Sequence, residues 1–203
     1  WFNYKIREKT NFIDEVLSWV DYTLMSGRGV MKCFWNPGDK RVGFEAIDPM
    51  YFVVPAYTVD LQDADWAVHV MPMSVPAYKR VAAQLGWKSD AKTIEKIRGN
   101  PQQDDNIPGA ATEDDAKQLR EGITYTTNTD GVIVWEVYRK RDDGVWEVYT
   151  YSPAAVDLDL RDPMELPYEH NQLPFVDFPY EIKDKGWFSP RGVCEILAAF
   201  ELS

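Results

Sequence analysis

The residues of this 203-residue chain that could do chemistry are few: two histidines, two cysteines and 33 carboxylates. His69 follows Asp63 and Asp65 in "DLQDADWAVH". An imidazole and two carboxylates are metal ligands by type, but this spacing fits no ligand template. The simpler reading is that the aspartates cap or solvate a strand start and His69 is a structural residue of an apolar strand. His170 lies in "YEHNQLP", a surface connector with no partner nearby in sequence. Glu136 and Glu147 each stand beside a tryptophan, Trp135 and Trp146. Paired carboxylates with aromatics are the equipment of glycoside processing. Strand alternation offers a plainer account, with both glutamates on the solvent face of a hairpin and both tryptophans on its buried face.

Other reactive patterns are missing from the sequence. No G-x-x-x-x-G-K-[ST] loop is present, and "GRG" at 27–29 reads as a helix end, not a phosphate cradle. Cys33 and Cys194 are far apart, form no C-x-x-C pair and suit a reduced, cytoplasmic origin. The acidic run "TEDD" at 112–115 reads as solvated loop. The expectation is a protein that is not an enzyme, with no catalytic, cofactor-binding or metal residue and no cofactor.

Composition narrows the partners. A formal net charge of -11 opposes general affinity for DNA phosphates or anionic lipid, and the longest basic run is "RKR" at 139–141. No apolar run approaches the length of a membrane span. Eight tryptophans need a core to pack in, so most of the chain is expected to fold.

The elements that must position these residues follow from periodicity. Phe12, Val16, Leu17, Val20 and Leu24 recur at helical spacing, with Thr10 or Asn11 as cap and Gly27 or Gly29 as the end. Phe12, Val16, Leu17 and Val20 are expected to be buried against a sheet. "VMKCFW" and "RVGFEAI" flank "NPGDK", a hairpin. "YFVV" and Trp66 to Met71 read as strands. Ser74 opens a helix with Val75, Tyr78, Val81 and Leu85 on one side, and "SDAKTIEKIRGN" a second, short one. Residues 99–122 lack aromatics and read as a long mobile acidic loop. "GVIVWEVYRKR" and "DGVWEVYTYS" form a hairpin across Asp142, Asp143 and Gly144, and "AVDLDLRD" adds a strand. Alternation puts Val132, Val134, Glu136 and Tyr138 on one face and Ile133, Trp135 and Val137 on the other. The second face, being more apolar, is expected to be the buried one, with Trp135 more buried than Glu136. "LPYEHNQLPFVDFPYEIKDKGW" reads as an extended connector. In "GWFSPRGVCEILAAFELS", Ser189 and Pro190 are expected to open a helix whose Ile196, Leu197 and Phe200 pack on the core.

Three blocks, in order, resemble the portal proteins of tailed bacteriophages. "FIDEVLSWVDYTLMSGRGVMKCFWNP" is similar to a portal helix that leads through a Gly turn into a strand. "FEAIDPMYFVVPAYTVDLQDADWAVHVMPMSVPAYKR" is similar to the portal succession of a "DP" turn, a "VP" strand, "D-x-D", a strand carrying His, and "MS" opening a helix. "LPFVDFPYEIKDKGWFSPRGVCEILAAFE" resembles the stretch where "PF" and a strand precede a "G-x-S-P-x-G" helix. The podovirus-like type is the nearer one.

The resemblance implies a structural subunit of a dodecameric ring at one capsid vertex. Double-stranded DNA would pass its channel without sequence-specific binding, and capsid protein, terminase and tail or adaptor proteins would dock on it. It implies the virion, and the host cytoplasm during assembly, as location, and no membrane partner. The blocks match the wing, so the expected fold class is α+β, mixed or antiparallel β-hairpins packed with several helices. Residues 1–98 would be a helix and hairpin region, 99–122 the acidic loop, and 123–203 the remaining hairpin, connector and closing helix of the same wing. The first residue, Trp1, and the closing helix without a stop signal read as cuts from a longer chain, ahead of a stem and clip. The alternative carried beside it is a carbohydrate-binding or glycoside-processing β-rich domain. It requires Trp135, Trp146 or Trp187 to be exposed in a cleft.

Overall fold

A computed structural model describes residues 11–36, 40–98, 131–182 and 186–201, with side chains described as far as residue 198. Expectations for Thr10, for the 99–122 loop and for the Phe200 side chain lie outside the described residues. Among the described residues the fold is α+β, with four helices and two antiparallel sheets. Its elements are α1 (Phe12–Ser26), β1 (Arg28–Asn36), β2 (Arg41–Ile47), β3 (Phe52–Val53), β4 (Trp66–Ser74), α2 (Val75–Leu85), α3 (Ala91–Ile97), β5 (Gly131–Lys140), β6 (Trp146–Ser152), β7 (Ala155–Glu165), β8 (Phe175–Pro179) and α4 (Val193–Glu201). The sheets run β2-β1-β8 and β3-β4-β5-β6-β7. The chain divides into two compact units, each discontinuous in sequence. Unit 1 comprises Trp1–Ala67, Arg139–Trp146 and Pro167–Ser203; unit 2 comprises Val68–Tyr138 and Glu147–Leu166.

In unit 1, α1 lies on the three-stranded sheet. The register pairs Met31 with Ala46 and Val176, Cys33 with Phe44, and Gly29 with Phe178, which puts these residues on one face. That face meets α1: Phe12 packs edge-on against Phe44 (4.7 Å between ring centres) and Trp19 against Phe178 (5.6 Å). Asn11 stands at the helix start without accepting a capping bond. Its amide instead donates to Glu15 Oε1 (2.7 Å) and to the Phe44 carbonyl (3.1 Å), tying the helix to β2. Glu15 Oε2 accepts the Ala46 N–H (2.6 Å). Gly27 ends the helix in the left-handed region, at φ 89°.

The opposite sheet face carries Val30, Ile47 and Phe175, all buried. Phe175 packs on Phe52 (4.9 Å), and Phe52 on Trp187 (6.0 Å). Gln62 clamps the connector before β8: its Oε1 accepts the Leu173 N–H, and its amide donates to the Leu173 and Phe175 carbonyls. What reads in sequence as connector therefore contains a strand. Alternation is hard to detect there because the run is only five residues and ends in Pro.

Segment 186–192 is strapped onto the same unit. The Trp187 N–H donates to the Thr58 carbonyl (2.9 Å). The Arg28 guanidinium lies over the Trp187 ring (4.3 Å), donates through Nε to the Trp187 carbonyl (2.9 Å) and pairs with Asp177. Arg28→Ala is expected to cost roughly 2–3 kcal/mol, because it removes a cation–π contact and leaves a partly buried carboxylate and a carbonyl without their donor. Thermal unfolding followed by tryptophan fluorescence checks it. Arg28→Lys should recover little, since an ammonium cannot reproduce the fork.

In unit 2, α2 and α3 cover one face of the larger sheet. Ser74 Oγ accepts the Ala77 N–H and Asp90 caps α3 by accepting from Thr93, so both helix starts are fixed by side chains. Val75, Tyr78, Ala82, Trp87, Ile94 and Ile97 pack with Val132, Val134, Ala155 and Leu160. Ala82, not Leu85, completes the buried stripe of α2; Leu85 is exposed at the last turn. β7 is the sheet's edge strand. Its register against β6 shifts at several points and it exposes Asp157, Asp159 and Asp162, features that discourage further strand pairing.

Three expectations about burial are corrected: for β5, for α1 and for Leu197 of the closing helix. Val132, Val134, Glu136 and Tyr138 form the buried face of β5, with Glu136 only 5% exposed and Trp135 less buried than Glu136. The helices chose that face, and alternation alone cannot say which face a helix will cover. On α1, Leu17 (61% exposed) and Val20 are exposed, whereas Thr23 is buried. The closing helix begins at Val193, after Gly192, so Ser189 and Pro190 precede it; Arg191 bridges to Glu181, and Leu197 is exposed.

Candidate functional site

The reactive side chains are distributed, not assembled. Asp63 and Asp65 are both exposed. Asp63 closes a short 3-10 turn, and Asp65 accepts the Tyr57 hydroxyl (2.7 Å). Among the described residues no group of three or more His, Cys, Asp or Glu could hold a metal ion. His170 is exposed, stacks on Tyr168 (5.4 Å) and accepts the Gln172 N–H at Nδ1 (3.1 Å), which makes it part of a turn. Cys194 is exposed, and burial pushes the half-buried Cys33 thiol up.

Burial collects one polar group that the sequence separates. His69 on β4 has Nδ1 4.0 Å from Glu136 Oε2 on β5, and the Tyr138 hydroxyl donates to the same oxygen (2.8 Å). All three are buried. The Tyr138–Glu136 bond lies within β5, His69 approaches from β4, and all three side chains are enclosed by the unit, away from solvent.

The glutamate pair is not brought together. Glu136 lies on the helix-covered face, while the β6 alternation puts Glu147 on the other, opposite Glu165. Trp146 and Trp187 are buried. Trp135 packs beside Tyr151 (5.7 Å), which stacks near Tyr149 (6.1 Å).

What the protein presents instead is apolar surface. No family model matches the chain, and no curated protein matches it. Its own surface is therefore the guide. In unit 1 the sheet face under α1 extends past the helix and exposes Trp35, Val42, Val176 and Phe178. Ile13, Leu17, Val20 and Met25 are exposed on α1 itself. Exposed apolar groups in this number on one unit mark association. No helix among the described residues is long and apolar enough to cross a membrane.

Sequence reasoning missed the outer face of α1, although a signal was there. Phe12, Trp19 and Thr23 make one helical stripe; Ile13, Leu17, Val20 and Leu24 make a second. The sheet buries the first stripe, and α4 meets only the last turn of α1 near Leu24 and Met25, which leaves Ile13, Leu17 and Val20 of the second stripe exposed.

Proposed function

We propose that this chain is the wing region of a tailed-phage portal subunit, a structural part of the ring that serves DNA packaging and ejection. The observation that carries the reading is the order of elements under the three motif blocks. α1 passes through Gly27 into β1; Asp48 opens the "DP" turn by accepting the Met50 N–H; β4 carries His69; Ser74 caps α2; and β8 begins at the "PF" pair, ahead of α4. The succession of these elements supports the reading, although the closing helix begins at Val193 and not at Ser189 and Pro190. The exposed apolar surface of unit 1 suits a subunit made to associate. The net charge of -11 suits a conduit in which DNA slides without phosphate anchoring. The partners are then other copies of the subunit, capsid protein, terminase and tail or adaptor proteins, in the virion and, during assembly, in the host cytoplasm.

The test is electron microscopy of the purified full-length subunit at high concentration. Closed rings are expected, and a protein that stays monomeric refutes the proposal. The carbohydrate alternative has no comparable support: two of its three tryptophans are buried, and its two glutamates lie on opposite sheet faces.

A further inference from the structure

We propose that the outer seam of α1 is a docking site for a basic amphipathic α-helix of a partner protein. This rests on α1 alone and does not need the portal reading.

Ile13, Leu17, Val20 and Leu24 follow one another at spacings of four, three and four, the repeat that keeps an apolar seam facing a second helix. Ile13 is 52% exposed, Leu17 61% and Val20 38%, although the neighbouring stripe of Phe12, Trp19 and Thr23 faces the sheet. The helix has 15 residues, about 22 Å of length; Gly192 and α4 meet its last turn at Leu24 and Met25, so the open part of the seam runs from Ile13 to Val20, about two turns.

Charge decides which helix fits. Asp14 and Asp21, one heptad apart and both exposed, line the side of the seam away from the sheet. Phe12–Ser26 contains no Lys or Arg. A helix packed in the seam would set its flanking positions against these two aspartates. Lysine or arginine there is attracted, and aspartate or glutamate is repelled. A second copy of α1 would bring four aspartates to one contact, with no cation on either helix, in a chain already at -11. The occupant is therefore a basic helix, not α1 of another copy.

The experiment titrates the 203-residue chain into fluorescently labelled synthetic helices and follows anisotropy. The probe has three heptads with leucine in the seam and lysine on its flanks. Controls are the same peptide with glutamate flanks and a scrambled lysine peptide of equal composition. The lysine-flanked probe should bind, the glutamate-flanked one about tenfold more weakly, and the scrambled one not measurably. Leu17→Glu should weaken binding about tenfold with an unchanged circular dichroism melt, because the side chain is exposed. Asp14→Lys with Asp21→Lys should reverse the preference for peptide charge. The proposal is overturned if the two amphipathic peptides bind alike, if the scrambled one binds as well, or if Leu17→Glu has no effect. It is equally overturned if the chain self-associates in sedimentation and Leu17→Glu makes it monomeric, since the occupant is then a second copy. If binding needs removal of residues 1–10, the chain itself holds the seam, and the proposal fails.

Discussion

Gly192→Ala is expected to lower the thermal midpoint by roughly 6–12 °C and to expose the amides of α4 to hydrogen exchange. A Cβ at Gly192 would lie 2.2 Å from the Met25 carbonyl oxygen and 2.8 Å from that of Leu24. Both obstacles are backbone at the end of α1, so no side chain can swing away. Gly27 meets the same segment from the other side: its Cβ would lie 2.5 Å from the Pro190 carbonyl oxygen, and its φ of 89° is strained for any other residue. The end of α1 and the start of α4 thus touch main chain to main chain. Separating them costs about 3 kcal/mol, the upper part of the range for overpacking, and a chain of this size loses about 2–4 °C per kcal/mol. Gly27→Ala should do at least as much. An unchanged midpoint with full protection of the Ile196 N–H, which donates to the Gly192 carbonyl (3.2 Å), would show that the contact does not hold α4.

Tyr78→Ala is expected to cost unit 2 about 3–5 kcal/mol, the range for losing a buried aromatic. The ring has no exposed surface and packs beside Trp87 (6.1 Å) in the middle of the helix-on-sheet core. Its hydroxyl donates to the Lys88 carbonyl (2.5 Å) where the chain leaves α2. Tyr78→Phe keeps the ring and loses that bond, which should cost only about 1 kcal/mol.

The pair of variants also separates packing from ionisation. Burial, and then the nearby charge of Asp90, push the Tyr78 phenol up to about 12. The folded state therefore holds its proton longer than the unfolded chain, whose phenols titrate near 10. The stability this gives is complete below about pH 10 and is lost progressively as pH rises towards about 12. Denaturant midpoints measured across that interval should fall more steeply for the natural protein than for Tyr78→Phe. A smaller slope should remain in the variant, because the Tyr22, Tyr57 and Tyr151 phenols are also raised. Equal slopes would mean that Tyr78 does not keep its proton.

Much of the local structure was legible in the sequence. Ser74 as a cap, Gly27 as a helix end, the pairing of β1 with β2 and the turn at 142–144 depend on short-range chemistry: a side-chain oxygen three residues from a free N–H, a two-residue alternation, or a glycine where φ is positive. The α+β fold class, expected from the resemblance to portal wings, is the one observed. What failed was the choice between faces. Alternation places Glu136 beside Tyr138 on one face of β5, but only the fold buries that face and brings His69 of β4 to the same carboxylate. Leu17 and Val20 were expected inside because they are apolar, yet the sheet takes the stripe of Phe12, Trp19 and Thr23.

Caps, turns and periodicity act over a few residues, so most element ends could be placed from local sequence; the start of α4 at Val193 and the strand β8 could not. Only the tertiary structure decided which face of β5 and which stripe of α1 is covered, how Trp187 is held under Arg28, and that two glycines 165 positions apart meet through their neighbours' backbones. The reason is that burial is a property of what packs alongside, and the packing partner lies elsewhere in the chain.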